Sequence, residues 1–137
     1  SKGRLAFDNS AGPRGPAPIT VSAEPKQFVV PYDFDGMVGF SSPRFLRPIL
    51  DYALAAKSTR IEVMGYRGAA LLSNGSTLVE EEGIGRRRAE QVAMLLKSTE
   101  LQSPDIRFDV RWQDAPSAVD GKDDFKTRQV VVTVHPK

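Results

Sequence analysis

Three consecutive arginines, Arg86, Arg87 and Arg88, stand at the start of the helix-like stretch GIGRRRAEQVAMLL (residues 83–96), and Glu80, Glu81 and Glu82 run just ahead of them. A guanidinium is a planar fork of donors that grips a carboxylate or phosphate with two parallel hydrogen bonds. Its place here is unfavourable, because a helix amino terminus carries roughly half a positive charge and disfavours each added cation by about 0.3–1 kcal/mol. These arginines therefore need negative partners, supplied by a ligand or by the chain itself. The glutamates have a ready role as anions that favour the helix dipole and offset the adjacent cations. Counting about 100° per residue sets Ala89, Val92, Ala93 and Leu96 in one core-facing arc. Arg87 then points away from that arc while Arg86 and Arg88 flank it on opposite sides, so the three do not share one job.

Other chemistry finds little support. The single histidine, His135, stands three residues from the carboxyl end, which leaves no histidine-centred base or triad within the domain. No two-carboxylate pair stands out, and the expectation is that the chain is not an enzyme. The absence of cysteine removes thiol nucleophiles, disulfides and cysteine metal sites. Asp114, Asp120, Asp123 and Asp124 cluster without the spacing of a calcium loop, so no metal and no cofactor is expected. A net charge of +2, from 19 basic and 17 acidic side chains, gives no strong footprint for nucleic acid. No apolar run approaches the roughly 18 residues of a membrane span. Trp112 reads as packing in the core or at its rim.

At 137 residues and 40% hydrophobic content, the chain can form one core and a tail. Residues 1–25, with four prolines and three glycines, read as a flexible linker or tether, and residues 26–137 as the domain. KQFVVPYDFD, from Lys26, has a strand's aromatic and β-branched content, and its proline suits an edge. Ile49, Leu50, Ala53 and Leu54 repeat with helical spacing. That helix is expected to begin near Pro48, since a start at Pro43 would leave Pro48 in its interior at a cost of about 3 kcal/mol. TRIEVMGY, DIRFDVRW and TRQVVVTVH alternate as half-buried strands do. Residues 67–83 read as a long connection with a turn at Asn74-Gly75. The order strand, helix, strand, helix, strand, strand implies a mixed sheet with both helices on one face, a two-layer α/β sandwich.

From about Gln27 to Val134 the chain resembles the OmpA-like domain, the peptidoglycan-associating module of Gram-negative envelope proteins. FLRPILDYA is similar to the family's Leu-x-Pro helix entry, and IEVMGY to its strand ending in Gly-Tyr. RRRAEQVAMLL is similar to its Arg-Ala-x-x-Val helix, and TRQVVVTV to its Asn-Arg-Arg-Val strand. The resemblance implies the β-α-β-α-β-β order and non-covalent binding of the diaminopimelate side chain of the peptidoglycan peptide stem. It also implies a periplasmic location, with tethering to the inner or outer membrane by a segment outside this chain and no membrane insertion by this one.

Carried across, the family's ligand arginine falls on Arg88, and Arg128 persists in the last motif, where Thr127 and Gln129 replace Asn and Arg. After Tyr66 the family's Thr-Asp pair becomes Arg67-Gly68, and its asparagine before the second helix becomes Glu81. The candidate ligand-binding set is thus Arg88, Arg128, Tyr66, Arg67, Gly68 and Glu81. With no carboxylate at Gly68, the ligand's ammonium lacks its partner and meets Arg67 instead, an arrangement that rejects rather than attracts it. Two expectations follow. One is wall association through Arg88 and Arg128, with Glu80, Glu81 or Glu82 swinging in as a displaced carboxylate; Gly68→Asp would create binding where that carboxylate is the one group missing. The other is a structural salt bridge at Arg88 in a domain that has lost the wall and serves as an assembly scaffold for a protein partner in an envelope or secretion machine.

Overall fold

The structure, a computed structural model, describes residues 19–37, 43–99, 101, 104–116 and 119–137. The expected linker before residue 19 lies outside them. In chain order the elements are β1 (Lys26–Pro31), α1 (Pro43–Ala55), β2 (Arg60–Tyr66), β3 (Ala69–Leu71), β4 (Thr77–Val79), α2 (Ile84–Lys97), β5 (Arg107–Gln113), a short 3-10 turn (Asp124–Thr127) and β6 (Gln129–His135).

Four strands form a mixed sheet in the order β1-β6-β2-β5. β6 runs antiparallel to both β1 and β2, with Val132 opposite Phe28 on one side and Val63 on the other. β2 and β5 pair in parallel, Val63 beside Val110, which places α2 between them along the chain. The alternation in sequence becomes alternation in burial: Ile61 and Val63 of β2 and Val130, Val132 and Val134 of β6 face the core. There they meet Ile49, Leu50, Tyr52 and Ala53 of α1 and Ala89, Val92, Ala93 and Leu96 of α2. Each fully buried Val, Leu or Ile contributes about 1.5–3 kcal/mol. The alternate positions of β2 and β5 carry ion pairs, with Arg60 on Asp109 at 2.8 Å and Arg107 on Asp109 at 3.2 Å, and His135 of β6 lies beside Glu62 at 3.3 Å.

Two expectations are corrected. α1 begins at Pro43, not near Pro48, and Pro48 sits inside the helix. Phe45 and Leu46 pack against the core, so burial draws the upstream turn into the helix despite the hydrogen bond that Pro48 cannot donate. The stretch after β2 is no plain connection, because β3 and β4 pair as a small antiparallel hairpin, Ala69 opposite Val79. Its bend is the expected Asn74-Gly75 turn: Gly75 has φ 86°, and the Asn74 Oδ1 accepts the Ser76 N–H at 2.9 Å.

Candidate functional site

The approach of α2 to β2 determines where the arginines go. A Cβ on Gly65 would fall well inside contact with the Gly85 carbonyl oxygen and 2.9 Å from the Ala89 Cβ, so only glycine lets the helix start lie on the strand end. Gly83 turns the chain into the helix at φ 81° and donates its N–H to the Asp114 Oδ1 at 2.8 Å. The three arginines then diverge. Arg86 lies on the surface, bonded to Glu90 at 3.2 Å and stacked 5.1 Å from the Trp112 ring. Arg87, also exposed, pairs with Glu81. Arg88 turns inward and is completely buried.

The partner of Arg88 is Glu80, also with no exposed surface. The contact is a two-pronged fork, Nη1 to Oε1 at 2.7 Å and Nη2 to Oε2 at 2.6 Å. Its remaining donors go to backbone carbonyls: Nε to Gly36 at 3.1 Å, Nη1 to Tyr66 at 3.1 Å and Nη2 to Asp33 at 3.2 Å. All five guanidinium N–H groups are thereby used. The Tyr32 ring covers one face, 4.6 Å from the guanidinium carbon, and burial pushes the Tyr32 phenol pKa upward, only partly offset by the nearby positive charge. On the other partner, Oε1 of Glu80 accepts the Gly68 N–H at 2.8 Å and Oε2 the Asp35 N–H at 2.7 Å. Burial opposes the Glu80 charge. The Arg88 fork and these two N–H groups outweigh it and hold the carboxyl below its ordinary range.

The expected site residues occupy distinct places around this pair. Tyr66 contributes its carbonyl oxygen, not its ring. Arg67 reaches backbone, with Nε on the Glu80 carbonyl at 2.7 Å and Nη1 on that of Asp114 at 3.1 Å. Gly68 pairs with Glu80 in both directions, since its carbonyl also accepts the Glu80 N–H at 3.0 Å. Arg128 holds the chain after β1, with Nε on the Tyr32 carbonyl at 3.2 Å and its guanidinium over Phe34. Glu81 faces outward to Arg87, so Glu80 alone of the three glutamates enters the cradle.

Space at Gly68 is tight: a Cβ there would lie 2.5 Å from the Thr127 Oγ1 and 2.7 Å from the Arg128 Cγ, so an aspartate would have to shift the residues just ahead of β6. The clustered aspartates serve the backbone: Asp124 accepts N–H groups of Leu71, Asp120 and Gly121, tying the hairpin to the 3-10 turn.

The residues that sequence reasoning missed are those after β1. Asp33, Asp35 and Gly36 act through backbone atoms, which have no side-chain signature. One signal was available, since Asp tolerates positive φ better than most residues, and Asp35 at φ 54° aims its N–H at Glu80 while its side chain accepts the Glu81 N–H. No family model matches this chain, and no curated protein matches it.

Proposed function

We propose that this chain is a degenerate OmpA-like domain, a two-layer α/β module of the periplasm, in which an internal carboxylate has taken the place of the wall ligand. In this reading it is a non-catalytic assembly scaffold for a protein partner in an envelope or secretion machine. The observation that carries it is the buried fork of Arg88 on Glu80. The arginine aligned with the family's ligand arginine has no donor left over, and its charge is already neutralised at 2.6–2.7 Å. Gly68 supports the same reading twice: it offers no carboxylate for an ammonium, and its N–H is committed to Glu80. A diaminopimelate carboxylate would have to displace a chain-borne one that pays no entropy of association.

The test is sedimentation with purified sacculi. The wild-type chain is expected to remain in the supernatant. Sedimentation of the wild type, lost in Arg88→Ala, would contradict the proposal and return the domain to wall binding.

A further inference from the structure

We propose that the free edge of β5, with the groove between β5 and α2, is a docking site for an extended acidic segment of a partner protein, added as a further strand of the sheet. β5 ends the strand order, paired to β2 on one side and to no described strand on the other. Its polarity along that edge can be read from two bonds. The Arg107 N–H donates to the Thr59 carbonyl at 2.9 Å and the Gln113 carbonyl accepts from the Arg67 N–H at 3.2 Å, both on the β2 side. In a parallel strand alternate residues bond to alternate sides, so Phe108, Val110 and Trp112 direct their N–H and C=O groups to the free edge. A long edge of this kind is a template for pairing with another chain.

Beside this edge lies a groove of about 400 Å³ lined by Glu90, Ala93, Met94, Lys97, Val110 and Trp112. Met94 is 62% exposed and Trp112 43%, an apolar surface of the kind strand-adding partners cover with alternate side chains.

Charge selects the occupant. Arg86, Lys97, Arg107 and Arg111 lie along the edge and groove; Glu90 is paired with Arg86 and Asp109 with Arg60 and Arg107, Asp105 and Asp114 flank the strand ends, and Lys97 and Arg111 are the cations there that no carboxylate pairs among the described residues. Arg107 and Arg111 lie on the sheet face opposite the groove, because side chains alternate along β5. An added strand would therefore place one set of side chains against Met94 and Trp112 and the other beside Arg107 and Arg111. The matching pattern is apolar residues alternating with Glu or Asp. A second copy of this chain would instead bring the same cations together. This inference goes beyond the internal plug at Arg88 and has its own readout.

Trp112 is the sole tryptophan of the chain and so reports this site without a label. The full chain is titrated with a synthetic peptide alternating glutamate with valine, and separately with its lysine-valine counterpart. A saturable change in Trp112 fluorescence with the glutamate peptide alone is expected. Arg107→Glu combined with Arg111→Glu, both on exposed side chains, is expected to weaken that binding about tenfold or more and to admit the lysine peptide. No response to either peptide, or an equal response to both, would overturn the proposal. So would concentration-dependent dimerisation in the ultracentrifuge that Val110→Pro abolishes, since a second copy would then occupy the edge.

Discussion

Arg88 and Glu80 are a buried ion pair, and such pairs often return little net stability, because desolvating two charges costs nearly what their attraction supplies. What distinguishes this one is its second duty. Between them the two side chains bond to the carbonyls of Asp33, Gly36 and Tyr66 and to the N–H groups of Asp35 and Gly68. Removing one partner strands a buried charge and several backbone groups together. Arg88→Ala is expected to destabilise the domain by about 3–5 kcal/mol in urea unfolding. Arg88→Lys should recover little of that loss, because a point charge with three donors cannot form the fork or reach the three carbonyls at once. Full recovery with lysine would mean that charge, not the fork, holds the site.

The same carboxylate gives a pH dependence. Folding lowers the Glu80 pKa, so below the unfolded value of about 4.3 the unfolded chain binds the proton more readily than the folded one. Its stabilising contribution is complete above that value and is lost as pH falls through the folded pKa. Asp109 and Asp124 are shifted the same way, Asp109 chiefly by the Arg60 hydrogen bond and Asp124 chiefly by the Leu71 N–H. Urea midpoints are expected to be flat above about pH 5 and to decline below about 4.3, with Glu80→Gln flattening part of the decline.

At the scale of elements, the site depends on a close helix-to-strand crossing. Gly65 and Gly85 let α2 begin against the end of β2, and that approach aims Arg88 at the carbonyl of Tyr66. Gly65→Ala is expected to destabilise by about 1–3 kcal/mol or more, because the methyl meets backbone that cannot turn aside. A neutral effect on the unfolding midpoint would show that the crossing is looser than described. Several elements were legible in sequence for a physical reason: β2 and β6 alternate strongly because one side of each meets a core, and the arc Ala89, Val92, Ala93, Leu96 is the buried stripe of α2, whereas β5 alternates in sequence but not in burial, with only Phe108 and Val110 packed against the core and Trp112 exposed. The hairpin was not legible. β3 and β4 have three residues each and β4 is exposed throughout, so neither carries a periodic pattern. The start of α1 was misread because the local penalty of Pro48 was weighed without the burial of Phe45 and Leu46. A structural salt bridge from Arg88 to some carboxylate was legible as one of two outcomes. Which carboxylate was not, because that depends on the reversal at Gly83 and on the hairpin base where Gly68 and Glu80 pair.

Across the whole molecule, a net charge of +2 conceals a local matching of charges. The three arginines that open α2 each have a separate carboxylate, Glu90, Glu81 and Glu80, in surroundings ranging from open surface to fully buried. Among the described residues no helix is long and apolar enough to cross a membrane. On the scaffold reading, the resemblance to a wall-binding module survives in the framework while the recognition chemistry has been turned inward. The free edge of β5, not the cradle at Arg88, then becomes the face offered to a partner.

The central claim is that the Arg88 guanidinium is closed to external carboxylates by Glu80. Its most direct test is NMR observation of the Arg88 side-chain Nε–Hε resonance during titration of the intact chain with meso-diaminopimelate. The account expects a resonance protected from solvent exchange and unmoved up to millimolar ligand. A saturable shift of that resonance as the ligand is added would contradict it.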